Sequence, residues 1–114
     1  MSKYDLYLND ILRAIDLIES SLKDKSMNDF ESNRDLIDAL SMRLQIIGES
    51  INKLPKKIID KYKEVDWQRF LQTRNIISHS YFAVNPKILW LIIKRNIPLL
   101  KNQILKIKKE LKNE

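Results

Sequence analysis

Residues 37–55, "IDALSMRLQIIGESINKLP", place Ile37, Leu40, Leu44, Ile47, Ile51 and Leu54 at alternating steps of three and four. At 3.6 residues per turn, that spacing collects six aliphatic side chains into one stripe along a helix. Pro55 cannot continue it, so the spacing predicts a helix from about Asn33 to Leu54. Gly48, the only glycine in the chain, falls inside this helix. A glycine there costs about 1 kcal/mol relative to alanine. Close approach of another backbone, or of a site group, would justify it; drift is the plainer alternative.

The same periodicity continues upstream. Tyr4, Leu8, Ile11, Ile15, Ile18 and Leu22 mark a helix from Lys3 to Leu22. The polar break "KDKSMND" follows, where Ser26 and Asp29 have the spacing of a capping box and can start a short helical turn around Phe30. Beyond Pro55, residues 56–64 read as a short connecting helix, and Asp66 is a candidate N-cap for a third main helix, Trp67 to Ser80. Trp67, Phe70, Leu71, Ile76 and Ile77 give that helix its apolar surface. "FAVNP" reads as a turn, with Asn85 capping a fourth main helix and Pro86 in its first turn, where a missing N–H costs nothing. This helix runs toward residue 112. Pro98 lies within it and predicts a kink or break, at about 3 kcal/mol for an unrelieved interior proline.

One glycine and three prolines are too few turn residues for hairpins or sandwiches. The pattern is therefore all-α: an antiparallel bundle of four main helices plus a short connecting helix, with 1–114 as a single domain. "ILWLII", Ile88 to Ile93, is apolar on every face, and a second subunit in a two-fold dimer is a reasonable source of the extra cover.

Composition removes several chemistries. With no cysteine there is no disulfide framework, thiol nucleophile or Cys-ligated zinc, and one histidine does not make a His-rich metal site within one chain. The N-terminal "MSKYDLYLND" lacks the apolar core of a signal peptide, and the longest apolar run is far short of a membrane span. A cytoplasmic protein without membrane contact is the expectation. The formal net charge is +6. Lys94, Arg95, Lys101, Lys106, Lys108, Lys109 and Lys112 carry most of the excess, against Glu110 and Glu114. Such a basic end suits a polyanion such as RNA, or is simply a solvated helix face.

"RNIISHSYF", residues 74–82, holds the sole histidine. RNA cleavage needs neither metal nor thiol, because the 2′-hydroxyl is itself the nucleophile. It needs a base, an acid and positive charge on the crowded phosphate. His79 can take either proton role near neutral pH, Arg74 can hold two phosphate oxygens, and Tyr81 adds a hydroxyl. On one straight helix, Arg74 and Tyr81 lie about 20° apart with Ser78 between them, while His79 is turned about 140° from Arg74. Either the helix loosens near Ser80, or the site is a groove reaching round it. A symmetric dimer would form such a groove and supply a second His79. The same residues could equally be satisfied locally in a plain helical bundle.

Arg74-Asn75-x-x-x-His79-x-Tyr81 resembles the R-x4-H-x-Y motif of HepT-like proteins, in the HEPN superfamily of helical-bundle ribonucleases. Met42 to Pro55, with Gly48-Glu49, is similar to that family's second helix, and Trp90 to Ile104, with Pro98, to its last. The resemblance covers nearly the whole chain. It implies the toxin half of a type VII toxin–antitoxin pair: a homodimeric, metal-independent endoribonuclease acting on tRNA or mRNA, with no cofactor. The implied partner is a separately encoded minimal nucleotidyltransferase, MNT. By the match, Arg74 would bind phosphate, His79 would transfer protons, Asn75 and Ser78 would assist, and Tyr81 would be the tyrosine that MNT modifies with AMP. Added bulk and negative charge on Tyr81 would oppose RNA in the cleft. The family often carries Asp or another polar residue where this chain has Ser80, so any acidic support for the histidine from that position is absent. A non-catalytic module that binds RNA or a nucleotidyltransferase through the same surfaces is the alternative.

Overall fold

The computed structural model describes residues 3–113. Helix α1 spans Lys3–Leu22, α2 Met27–Glu31, α3 Arg34–Asn52, α4 Lys56–Lys61 and α5 Trp67–Ser80. A 3₁₀ turn, Tyr81–Ala83, leads to α6, Pro86–Leu91, which passes through a π-turn, Ile92–Asn96, into α7, Ile97–Lys112. The all-α reading holds.

The predicted helix starts hold as well, for the predicted reasons, while α3 ends at Asn52 rather than Leu54 and α4 at Lys61 rather than residue 64. Ser26 accepts from the Asp29 amide at 3.1 Å and its own amide donates to Asp29 Oδ2 at 2.8 Å, closing the capping box of α2. Asn33 caps α3 through the Leu36 amide, Asp66 caps α5 through the Arg69 amide, and Asn85 accepts from the Lys87 amide at the start of α6. Pro98 behaves differently from the expected kink or break. It has no N–H for the carbonyl four residues back, so the ladder shifts register: the Ile97 amide reaches Ile92 O over the preceding wider turn. The residues flanking this π-turn keep right-handed helical angles.

The core is a continuous cluster fed by the stripes of α1, α3 and α7, with Leu8, Ile11, Ile15, Leu40, Ile47 and Ile104 fully buried. Phe30 of α2 is buried against Trp90 of α6, ring centroids 5.6 Å apart. Polar contacts fix the helix directions. Arg43 donates to Leu17 O at 2.9 Å while Lys53 stacks over Tyr7, so α3 runs antiparallel to α1. Lys101 pairs with Glu19 at 2.7 Å and Lys108 reaches Asn9, so α7 is also antiparallel to α1. At the far end, Tyr62 donates to Glu110 at 2.6 Å and the Trp67 indole N–H to Tyr62 O at 3.0 Å.

Of "ILWLII", Leu89, Ile92 and Ile93 are buried, whereas Ile88 and Leu91 are exposed. The chain alone therefore covers only part of this run. Among the described residues no helix is long and apolar enough to cross a membrane.

Candidate functional site

Helix α5 lies against α3, and they approach closely at Gly48. A Cβ built there would fall 2.4 Å from Arg74 Cβ and 2.9 Å from Phe70 O. The missing side chain lets the two backbones approach, which is the structural reason for a glycine inside α3. Trp67, Phe70, Thr73 and Ile77 form the buried face of α5, and Thr73 returns its hydroxyl to Arg69 O at 2.6 Å.

That approach seats Arg74 against α3. Its Nε and Nη2 donate to Glu49 Oε1 at 3.1 and 2.8 Å, and its Nη1 donates to Asn75 Oδ1 at 2.9 Å. The guanidinium is thus fixed on two sides and only partly exposed, a preorganised cation rather than a free one. Asn75 and Ser78 are exposed. His79 is exposed in the last turn of α5, and its ring has no side-chain partner among the described residues. His79 follows the fixed guanidinium by five residues on the same helix, and an exposed imidazole can exchange protons with a bound molecule.

Tyr81 is not where one straight helix would put it. Ser80 leaves helical geometry at φ −147° and ψ 45°, and the chain tightens into the 3₁₀ turn. The helix does loosen near Ser80, so the 20° relation between Arg74 and Tyr81 does not apply. Tyr81 instead reaches α3, where its hydroxyl donates to Asp38 Oδ1. Arg34 pairs with the same oxygen at 2.9 Å and lies over the Tyr81 ring, 5.1 Å from its centroid. The Tyr81 hydroxyl, then Arg34, hold the Asp38 carboxyl below its ordinary range. Tyr81 first, and then Asp38, raise Arg34. Asp38 and Glu49 are eleven residues apart, about 16 Å along α3. Arg74 and Tyr81 therefore grip α3 at separate points.

Sequence reasoning missed Asp38 and Arg34. Their four-residue spacing signals an ion pair on a helix surface, but nothing local says that Tyr81, more than forty positions away, closes onto it. Glu49 was visible only as a neighbour of Gly48. The basic end of the chain is partly structural: Lys101 is held by Glu19 and Asp16, Lys108 by Asn9, and Lys94 sits over the Trp90 ring.

A family model described as "Ribonuclease HepT-like" matches residues 11–107. A protein of Methanocaldococcus jannaschii, named as a gamma-glutamylcyclotransferase and candidate RNase, is 43% identical over 93% of this chain, which spans only 48% of that relative. A Thermococcus cleftensis protein named "Probable ribonuclease HepT" is 33% identical, over 90% of this chain and 94% of its own length. A candidate RNase of Caldanaerobacter subterraneus subsp. tengcongensis is 35% identical, over 89% and 90%. No solved structure gives a significant match.

Proposed function

The chain belongs to the HepT-like ribonuclease family, and from that premise we propose that it is a metal-independent endoribonuclease toxin that cuts cellular RNA, tRNA or mRNA, in a cleft between two copies. The observation that carries this reading is Arg74, held by Glu49 and Asn75, five residues before an exposed His79 on the same helix.

In this reading Arg74 binds the scissile phosphate, with Asn75 and Ser78 beside it. His79 removes the proton of the adjacent 2′-hydroxyl. The O2′–P bond forms and the P–O5′ bond breaks, leaving a 2′,3′-cyclic phosphate, and the second copy's His79 returns a proton to the departing 5′-oxygen. Arg74 balances the charge that builds on the phosphorus oxygens. The exposed apolar side chains Ile88 and Leu91 of α6 and Phe82 of the 3₁₀ turn supply surface for pairing the two copies.

A separate MNT-type nucleotidyltransferase would silence the enzyme by transferring the adenylyl group of ATP to the Tyr81 hydroxyl: the Oη–P bond forms as the bond to pyrophosphate breaks, and the phenol gives up its proton. The modification removes the donor that Tyr81 gives Asp38 and sets a phosphate beside that carboxylate. Bulk and negative charge would then stand where the RNA backbone runs.

The test is expression of the chain alone, with RNA integrity followed in chelator-treated extract and with purified protein. The parent arrests growth and cleaves RNA in excess chelator; His79→Ala and Arg74→Ala do neither and retain their helical circular dichroism. Cleavage by His79→Ala at the parent rate removes the catalytic role. A second reading, a non-catalytic RNA- or nucleotidyltransferase-binding module, is favoured by Glu49 occupying two Arg74 donors. It is recognised by RNA that is bound, uncut, and bound equally by His79→Ala.

A further inference from the structure

Between α3 and the end of α5 lies a groove of about 260 Å³, bordered by Asp38, Ser41, Met42, Gln45, Ile77 and Tyr81. Ser41 is 1% exposed, and its hydroxyl has no hydrogen-bond partner among the described residues. A helical serine ordinarily turns its hydroxyl back to the carbonyl one turn earlier, and a buried hydroxyl left unpaired costs free energy that a ligand's polar edge would restore. Beside it, Gln45 offers one amide donor pair and one acceptor. Asp38 spends only Oδ1 on Tyr81 and Arg34, which leaves Oδ2 as an acceptor. Met42, more than half exposed, and Ile77 provide the apolar walls.

We infer that this groove is a nucleobase subsite that selects a base with an amino group at the adenine N6 or cytosine N4 position, adenine or cytosine, over guanine and uracil, which carry a carbonyl oxygen there. Apolar Met42 and Ile77 with polar Asp38, Ser41 and Gln45 around one groove suit a base, which has an apolar face and a polar edge. A carboxylate accepts from an amino group of the cytosine type, and a carboxamide pairs with the adjacent donor and acceptor of adenine. Uracil would turn a carbonyl oxygen toward Asp38 and be repelled. Arg34, which pairs with Asp38 and lies over the Tyr81 ring, supplies a cation for the nucleotide's phosphate. The inference rests on the reading that the chain handles RNA or a nucleotide at Tyr81. The base has two sources of the same chemistry: a nucleotide of the RNA strand, or the AMP joined to Tyr81.

The experiment uses the full chain carrying His79→Ala, so that RNA survives, with NMR of the Met42 methyl and the Gln45 side-chain amide. The probes are AMP, CMP, UMP, oligo(A) and oligo(U). AMP and CMP shift both signals and bind about tenfold or more tighter than UMP. Gln45→Leu and Ser41→Ala each weaken AMP binding about tenfold, while Ser41→Ala raises the melting temperature, because it removes an unpaired buried hydroxyl. Shifts with oligo(A) assign the base to the RNA strand; shifts with AMP but not oligo(A) assign it to the nucleotide joined to Tyr81. Absence of shifts with every probe, equal affinity for UMP, or full AMP binding by Gln45→Leu overturns the subsite. If the parent cleaves RNA while no probe shifts these signals, the subsite fails alone. If AMP binds here and the parent cleaves nothing, the ribonuclease reading fails alone.

Discussion

Gly48 and Arg74 occupy the same space in turn: a Cβ on the first would sit 2.4 Å from the Cβ of the second. The contact joins the packing of α3 on α5 to the position of the guanidinium. Alanine at this position would gain about 1 kcal/mol of helix propensity. It would lose more by driving Arg74 and the Phe70 carbonyl away, as overpacking typically costs about 1–3 kcal/mol beyond any such gain. Gly48→Ala is therefore expected to lower the stability measured by urea unfolding by about 1–3 kcal/mol, and to reduce RNA cleavage in the fraction that remains folded. A variant as stable as the parent would mean that α3 and α5 separate freely.

Glu49 gives a second handle on the same arginine. The pair is partly exposed, with side-chain exposures of 30% and 42%, so its effect on stability is expected to stay within about 1 kcal/mol. Its effect on geometry is larger, since both Nε and Nη2 are aimed by one carboxylate oxygen. Glu49→Gln is expected to keep the melting temperature within a few degrees while lowering cleavage about tenfold, through loss of Arg74 orientation. Faster cleavage would show instead that Glu49 competes with the phosphate. Arg74→Lys should not rescue, because an ammonium cannot span Glu49 and Asn75 together.

The helices were legible because each carries its own signals. The 3-4 stripes of α1 and α3, the Ser26–Asp29 box, Asn33, Asp66 and Asn85 are local, and they act locally. Even Gly48 announced itself, since a lone glycine in a helix asks for a close neighbour. Two features were out of reach for physical reasons. Pro98 predicts disruption, but whether a chain kinks or absorbs the missing bond in a π-turn depends on the packing of Ile92, Ile93 and Ile97 into the core. The Tyr81–Asp38 contact follows a backbone departure at Ser80; the Arg74–His79 spacing allowed for that loosening, but nothing local said which residue Tyr81 would then reach. A 100° wheel extends a helix past its true end, and there it misplaces the tyrosine.

The basic face of α7 separates into structural and available charges. Lys101 is engaged by Glu19 and Asp16, and these contacts raise its affinity for its proton. Lys106 and Lys109, one turn apart, are exposed. If this face touches single-stranded RNA, Lys106→Ala or Lys109→Ala should each reduce the slope of log K against log salt by about 0.7. Lys101→Ala should leave the slope unchanged and slightly lower stability. Fluorescence titration over a salt series makes the measurement. A slope unaffected by all three substitutions would remove α7 from the RNA interface.

Asp38 reports on Tyr81. Its folded-state pKa is lowered, first by the Tyr81 hydroxyl and then by Arg34. A carboxylate whose affinity for protons is weaker in the fold contributes stability above its unfolded value, about 3.9. That contribution disappears as pH falls through the folded value. Its loss therefore belongs to the acid range below about pH 4, well away from neutrality. Tyr81→Phe removes the larger of the two causes and leaves Arg34, so Asp38 should titrate higher than in the parent yet remain below an ordinary carboxylate. Joining AMP to the hydroxyl also removes the donor, and the neighbouring phosphate adds repulsion, which should raise Asp38 further than phenylalanine does. Carboxyl carbon NMR titration of Asp38 in the parent, in Tyr81→Phe and in AMP-modified protein checks the order. Coincident titrations in the parent and Tyr81→Phe would show that the hydroxyl and Asp38 do not meet in solution.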